Sequence, residues 1–268
     1  MKRITLFASL ALASCLTVSA QRTPTHPLDI QDAKFENLPN YLEAWLKGEM
    51  KQPQGVSEID DQFFISRVRP LDRIKDGDYQ VRPEVKRDRK MCLWTPLDDP
   101  TSKWKALPRY CFEGDNFSLW SYIDIHGNWT SPWIRSTAGL TDVAHKNGVS
   151  VGCVMSIGYG AYIYLNQWRP DTYSKTLYKL TKKEGGKFVY AAPLVRMMKY
   201  YGVNGIGFNS EFRTSSDVMA TLTDFFVACH KEAEKINWKF EVHWYDGTGD
   251  DGSIHFDGGL GSHNQNIF

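Results

Sequence analysis

Residues 202–212 read Gly202-Val203-Asn204-Gly205-Ile206-Gly207-Phe208-Asn209-Ser210-Glu211-Phe212. A short apolar run closed by polar residues is the pattern of a strand buried in a parallel sheet, with its polar end at the sheet's rim. Asn209 and Glu211 are spaced i, i+2, and in a strand that spacing puts both side chains on one face. An amide and an acid presented together at a strand end suit substrate-assisted hydrolysis of an N-acetylhexosamine glycoside. The acid protonates the leaving oxygen, the sugar's own acetamide attacks the anomeric carbon, and the amide holds that acetamide. Asn-x-Glu alone is a weak motif, so the surrounding elements have to support it.

They form a strand–helix alternation. Apolar runs at 90–95 (KMCLWT), 119–126 (LWSYIDIH), 149–157 (VSVGCVMSI), 203–209 and 239–245 (KFEVHWY) predict five strands. Helical patterning is read at 133–146, closed by Asn147-Gly148, at 177–183, and at 191–201, closed by Gly202. Ser215 or Ser216 can cap a further helix that buries Val218, Leu222, Phe225, Phe226, Cys229, Ala233 and Ile236. Apolar strands separated by helices imply a parallel sheet covered by helices. Polar strand C-termini then fit a (β/α)8 barrel. An open doubly wound sheet is the alternative, but no G-x-G-x-x-G follows the first strand.

The expected fold is therefore an α/β barrel with about five βα units present, the chain ending at Phe268 inside the loop after the fifth strand. On this reading it is the N-terminal part of a longer barrel, with Val151, Val154 and Val242 left partly uncovered and the chain alone marginal in stability. Residues 90–268 make the barrel portion. Residues 21–89 are a linker and irregular lead-in, containing one short amphipathic helix at 38–47 (LPNYLEAWLK). Residues 1–20 read as a signal peptide: Lys2 and Arg3, an apolar stretch, then Val18-Ser19-Ala20 before Gln21. Leu12-Ala13-Ser14-Cys15 resembles a lipobox that would make Cys15 a lipid anchor instead. Both readings imply an exported, bacterial protein, placed in the periplasm, at the cell surface or outside the cell. The apolar stretch is too short for a membrane span.

Net charge is +1, which points away from nucleic acid and anionic membranes. Nine Trp and thirteen Tyr supply rings on which sugar C–H faces can stack, although a Trp-rich core uses the same residues. Of five Cys, Cys92, Cys111, Cys153 and Cys229 lie beyond the leader, none in a C-x-x-C pair. The seven His are scattered without ligand spacing, so no metal or cofactor is expected. Cys92, Cys153 and Cys229 fall on apolar segments and read as buried free thiols.

With these pieces in order, the chain resembles glycoside hydrolase family 85, the endo-β-N-acetylglucosaminidases, from about Phe63 onward. The likeness rests on four segments: 117–124 (FSLWSYID), 144–149 (AHKNGV), the Gly-x-x-Gly-x-x-x-Asn-x-Glu run of Gly202, Gly205, Asn209 and Glu211, and Trp244-Tyr245-Asp246. The resemblance implies a retaining hydrolase of the GlcNAc-β1,4-GlcNAc bond in N-glycan cores, with N-linked glycoproteins as partners. Glu211 would be the acid/base, Asn209 would orient the acetamide in an oxazoline-type intermediate, and Tyr245 would hydrogen-bond nearby. This scheme dispenses with the second carboxylate of the usual glycosidase pair. Trp244, Asp246, Asp124 and Trp120 are candidate substrate contacts. Asp124 and Asp246 are equally candidate helix caps, and Trp244 and Tyr245 candidate packing residues.

The chain departs from the family pattern. Asn204 stands where the family usually has Asp, Ile206 where it has an aromatic residue, and Gly247 where it has Ser. Phe256-Asp257-Gly258 replaces Trp-Gln-Asn. Two other functions compete: a non-catalytic glycan-binding protein on a hydrolase scaffold, and a family 18-type chitinase. Retention of Glu211 argues against the first. The second lacks its Asp-x-x-Asp-x-Asp-x-Glu signature.

Overall fold

The computed structural model describes residues 38–47, 65–71, 90–95, 119–128, 136, 138–157, 170–210 and 212–254. In chain order these form α1 (Leu38–Leu46), β1 (Cys92–Thr95), a 3-10 turn (Trp120–Tyr122) and β2 (Ile125–Asn128). Then follow α2 (Ala138–Lys146), β3 (Ser150–Ile157), α3 (Pro170–Leu180), β4 (Lys183–Glu184) and β5 (Lys187–Phe188). The last are α4 (Ala191–Tyr201), β6 (Gly205–Ser210), α5 (Ser216–Lys235) and β7 (Glu241–Asp246).

Five strands make one sheet in the order β1-β2-β3-β6-β7, every pair parallel. The strand–helix alternation read from the sequence thus produces a curled, helix-backed parallel sheet, the architecture of part of an α/β barrel. The leader at 1–20, with Cys15, and most of the lead-in lie outside the described residues. Among the described residues no helix is long and apolar enough to cross a membrane.

Helix α5 begins as expected. The Ser215 hydroxyl accepts a hydrogen bond from Val218 N–H (3.4 Å), satisfying one of the free donors of the first turn. Its apolar stripe buries Val218, Leu222, Phe225, Phe226, Cys229 and Ala233, while Ile236 caps the end and is only partly buried. That stripe packs with Leu194, Val195, Met198 and Tyr201 of α4 onto Cys153, Ile206 and Val242 of the sheet. Val151 belongs to a second cluster with Trp120, Ile123, Ala144 and Val149. Fully burying a Leu or Phe side chain is worth about 1.5–3 kcal/mol, so the described apolar contacts on the helix-facing side of the sheet are a substantial source of stability.

This packing corrects one expectation. Val151 (0% exposed) and Val242 (5%) are covered by helices, not left open on an interior face. Strand alternation explains the difference. Residues 151, 153, 206 and 242 share the helix side, and the opposite side of the same strands carries Gly152, Gly205 and His243.

The three largest boundary shifts concern β2, α2 and α3, while β1, β6 and β7 start about two residues later than expected. Only the last two residues of 119–126 are in β2, because 120–122 turn as a 3-10 helix and bury Trp120. Helix α2 starts at Ala138, later than position 133. Helix α3 runs from Pro170 to Leu180, earlier than the expected 177–183, and Pro at a first helical position suits the missing N–H. The chain after α3 forms the β4–β5 hairpin, in which Lys183 pairs with Phe188 and Glu184 with Lys187. Gly185 (φ +55°) and Gly186 (φ +77°) supply the two left-handed positions such a two-residue turn demands.

Cys153 and Cys229 are buried free thiols, but Cys92, on edge strand β1, is exposed. Cys111 lies outside the described residues.

Candidate active site

The C-terminal ends of β6 and β7 meet in register. Asn209 lies opposite Ser156 of β3 on one side and Tyr245 of β7 on the other. Phe208 is opposite Trp244, and Ser210 opposite Asp246. Paired positions on neighbouring strands are about 4.8 Å apart. Two of the three proposed catalytic positions are therefore neighbours by strand pairing alone. Tyr245 is 37% exposed near the C-terminal end of β7. Glu211 follows the last residue of β6 and lies outside the described residues, as do the side chains of Asn209, Trp244 and Asp246.

Beneath this rim, His243 stands two residues before Tyr245 on the same face of β7. It is buried (4% exposed), and its ring lies across β6 onto β3. A Cβ on Gly152 would coincide with that ring, and one on Gly205 would come within 2.7 Å of it. Neither ring nitrogen of His243 has a hydrogen-bond partner among the described residues. Burial pushes its pKa down to about 4, against the opposing pull of Glu241 and with help from Lys239 and Lys90. His126, edge-on to Trp120, is likewise pushed down to about 4 by burial and by His243.

One layer further down, Glu241 is 9% exposed. Burial raises its carboxyl, but Lys239 (2.9 Å), His243 and Lys90 (3.5 Å) outweigh that and hold it below the ordinary carboxylate value. Lys239 also donates to the Ser150 hydroxyl (2.6 Å), tying β7 to β3 at the base of the sheet.

The segment after β6 is held by a tight turn after β7. Thr248 pairs with Ile254 in an antiparallel bridge, Gly249 N–H donates to Ser253 O (2.9 Å), and Gly252 N–H donates to Gly249 O (2.9 Å). The Asp251 carboxylate accepts from Ser253 N–H (2.9 Å) and hydroxyl (2.6 Å). Thr214 N–H donates to Gly252 O (2.9 Å), docking the turn on the chain that carries the proposed acid. Gly252 has φ +78°, and a Cβ there would fall on the Thr214 carbonyl and within 2.8 Å of Ser215 N. Gly252→Ala combines left-handed strain with a backbone clash and should cost about 2–3 kcal/mol. Urea unfolding of the variant beside the parent checks this. An unchanged midpoint would mean that the turn is not docked as described.

Two candidate contacts sit elsewhere. Trp120 is buried (7% exposed) against Ala144, Val149 and Val151, and Asp124 immediately precedes β2. The Asp124 carboxylate accepts Met91 N–H (2.8 Å), and its carbonyl accepts Ser150 N–H (3.0 Å). Both residues therefore belong to the N-terminal end of the sheet. Asn209 pairs with Ser156, six residues beyond Ser150 on β3, which is about 20 Å along a strand. The structure does not bring Trp120 or Asp124 to the end that carries Asn209 and Tyr245.

Asn204 is also at the far end. It is fully buried, and its side-chain oxygen lies 2.7 Å from His145 Nε2 and accepts Val151 N–H (3.4 Å). The other ring nitrogen of His145 contacts Val68 O. Asn204 thus belongs to a buried hydrogen-bond network at the N-terminal end of the sheet.

Sequence reasoning passed over His243, Gly152 and Thr248. Glycine inside the strands at 152 and 205 was the available signal, since strand-interior Gly often marks the close approach of another group. Among the described residues no group of three or more His, Cys, Asp or Glu could hold a metal.

The model of glycosyl hydrolase family 85 matches residues 103–268. No curated protein matches the chain. A solved structure, the glycoside hydrolase domain of Endo-D from Streptococcus pneumoniae R6, superposes with a TM-score of 0.58 at 20% identity. The alignment covers 83% of this chain and 33% of that one, so the chain spans about a third of its length.

Proposed function

The chain belongs to glycoside hydrolase family 85, and from that membership we propose that it forms part of a retaining endo-β-N-acetylglucosaminidase built on a (β/α)8 barrel. The observation that supports this most is the pairing of Asn209 with Tyr245 at the C-terminal rim of the parallel sheet, two residues before Glu211. Barrel enzymes place catalytic groups at that rim. In the proposed reaction Glu211 protonates the glycosidic oxygen as the C1–O bond breaks. The acetamide oxygen of the same sugar forms the new bond to C1, giving an oxazolinium ion. Asn209 and Tyr245 hold the acetamide. Water then attacks C1, Glu211 takes its proton, and the acetamide is released with overall retention. Trp244 and Asp246, at adjoining register positions, are proposed substrate contacts. Export, by signal peptidase cleavage or with a lipid anchor at Cys15, remains part of the proposal, because it gives access to glycoproteins.

Incubating the full-length natural protein with a high-mannose glycopeptide tests the reading. The expected product is a peptide that retains a single GlcNAc. Intact glycopeptide, or cleavage at another bond, would reject it. Within the scheme, Asn209→Ala should slow this reaction about a hundredfold, the usual size for loss of one preorganised polar contact. It should affect a preformed glycan oxazoline far less, because that donor already contains the bond Asn209 helps to form. Equal losses on both donors would remove Asn209 from the first step.

A further inference from the structure

We propose that Thr248 is a positioning residue for the acid, an assignment that rests on the reading of Glu211 as acid/base. Thr248 is fully buried. Its hydroxyl accepts from the Ser210 hydroxyl (2.8 Å) and from Phe212 N–H (3.4 Å), and it donates to Phe212 O (2.9 Å). A hydroxyl has one donor and two acceptor sites, and all three are used. Both partners, Ser210 and Phe212, are the immediate neighbours of Glu211 in the chain. One buried oxygen therefore holds a side chain on one side of the proposed acid and the backbone on the other.

The surroundings give that oxygen little freedom. Thr248 sits at the mouth of the 248–254 turn, bridged to Ile254, and the turn is bound through Gly252 O to Thr214 N–H. Phe212 is itself fully buried in the main core, so the chain just beyond Glu211 is anchored at both its side chain and its backbone. A valine keeps the shape of threonine but offers none of the three hydrogen bonds. It would leave the Ser210 hydroxyl and both Phe212 backbone groups buried without their partner. The span from 210 to 212 would then shift, and an acid must sit within hydrogen-bond reach of the oxygen it protonates.

The test compares Thr248→Val and Thr248→Ser in the full-length protein on two substrates. One is the high-mannose glycopeptide, whose leaving sugar needs a proton. The other is the same glycan joined to 2,4-dinitrophenol, which leaves without one. Misplacing a catalytic group can cost about a hundredfold, so Thr248→Val should lower kcat on the glycopeptide by about that factor with KM little changed. Release of dinitrophenol in a single turnover, a step that needs no proton from Glu211, should stay close to normal, and Thr248→Ser should recover most of the loss on the glycopeptide. Equal losses on the glycopeptide and in that single turnover, or no rescue by serine, would overturn the assignment. Hydrogen exchange at the Phe212 amide gives a readout independent of activity: faster in the valine variant, near parental in the serine variant. Unchanged exchange in Thr248→Val would overturn the clamp even in an active enzyme. A parent inactive on both substrates would reject the endoglycosidase reading, while the exchange measurement would still judge the clamp.

Discussion

Glu211→Gln in the full-length protein should abolish nearly all release of glycan from a GlcNAc–GlcNAc substrate. General acid–base catalysis typically contributes a hundred- to ten-thousandfold, and one residue here serves both steps, so a loss of about a thousandfold or more is expected in kcat. Glutamine keeps the shape and polarity of the site, so glycan binding should persist with little change in affinity. A carboxylic acid that must be protonated in the first step also sets an alkaline limb in the pH profile of kcat/KM. That limb should vanish from the residual activity of the variant. Steady-state kinetics and glycan titration measure both effects. Near-normal turnover by Glu211→Gln would remove this residue from the mechanism, and weakened binding in proportion to lost turnover would recast it as a substrate contact.

Acid should unfold the protein well before its carboxylates titrate. His126 and His243 are buried and pushed down to about 4, below the ordinary 6.5 of an exposed histidine. Between pH 6.5 and 4 the unfolded chain therefore binds protons at these positions and the folded chain does not. The sign follows: stability rises with pH across that window, is fully present above pH 6.5, and is lost progressively as pH falls towards 4. A pKa difference of this size corresponds to roughly 3 kcal/mol for each histidine. Glu241 adds in the same direction at the acid end, since its depressed carboxyl contributes stability that disappears as it protonates. Stability by urea unfolding should be flat from pH 7 to 8 and fall steeply below 6.5. Replacing His243 with leucine, which loses no hydrogen bond, should flatten part of that slope. An NMR titration placing His243 near 6.5 would sink the argument.

The parts legible in the sequence are those with a local cause. A serine cap at 215 or 216, the apolar stripe from Val218 to Ala233, and the existence of the strand around Asn209 are legible because capping, helical spacing and apolar runs are properties of neighbouring residues. The pairing of Asn209 with Tyr245 needed tertiary register, but the order of strands and helices already implied that the two rims would align. What stayed hidden depends on close approach between distant segments. Thr248 looks like any polar residue in a Gly- and Asp-rich loop until its hydroxyl is seen between Ser210 and Phe212. Asp124 reads as a strand-end residue if the strand runs over 119–126. The 3-10 turn delays its start to Ile125 and puts Asp124 at the strand's entry. Val151 and Val242 lie on the helix side for a related reason, while the side chain of Val154 lies outside the described residues. A run such as VSVGCVMSI contains residues of both faces, and only the packing of Val151 and Cys153 on helices shows which side is which.

The contact of His243 with Gly152 and Gly205 has a consequence for how this chain can vary. Three positions, on three adjacent strands, share one imidazole's worth of space. Mutationally they are one locus: a methyl group gained at 152 or 205 has to be surrendered at 243. Drift at any one of them alone is blocked, yet the trio can change in concert. In descendants of this sequence, a residue smaller than histidine at 243 would open the route for both glycines to become alanine. That exchange would leave the rim above, where Asn209 and Tyr245 meet, standing on a differently made floor.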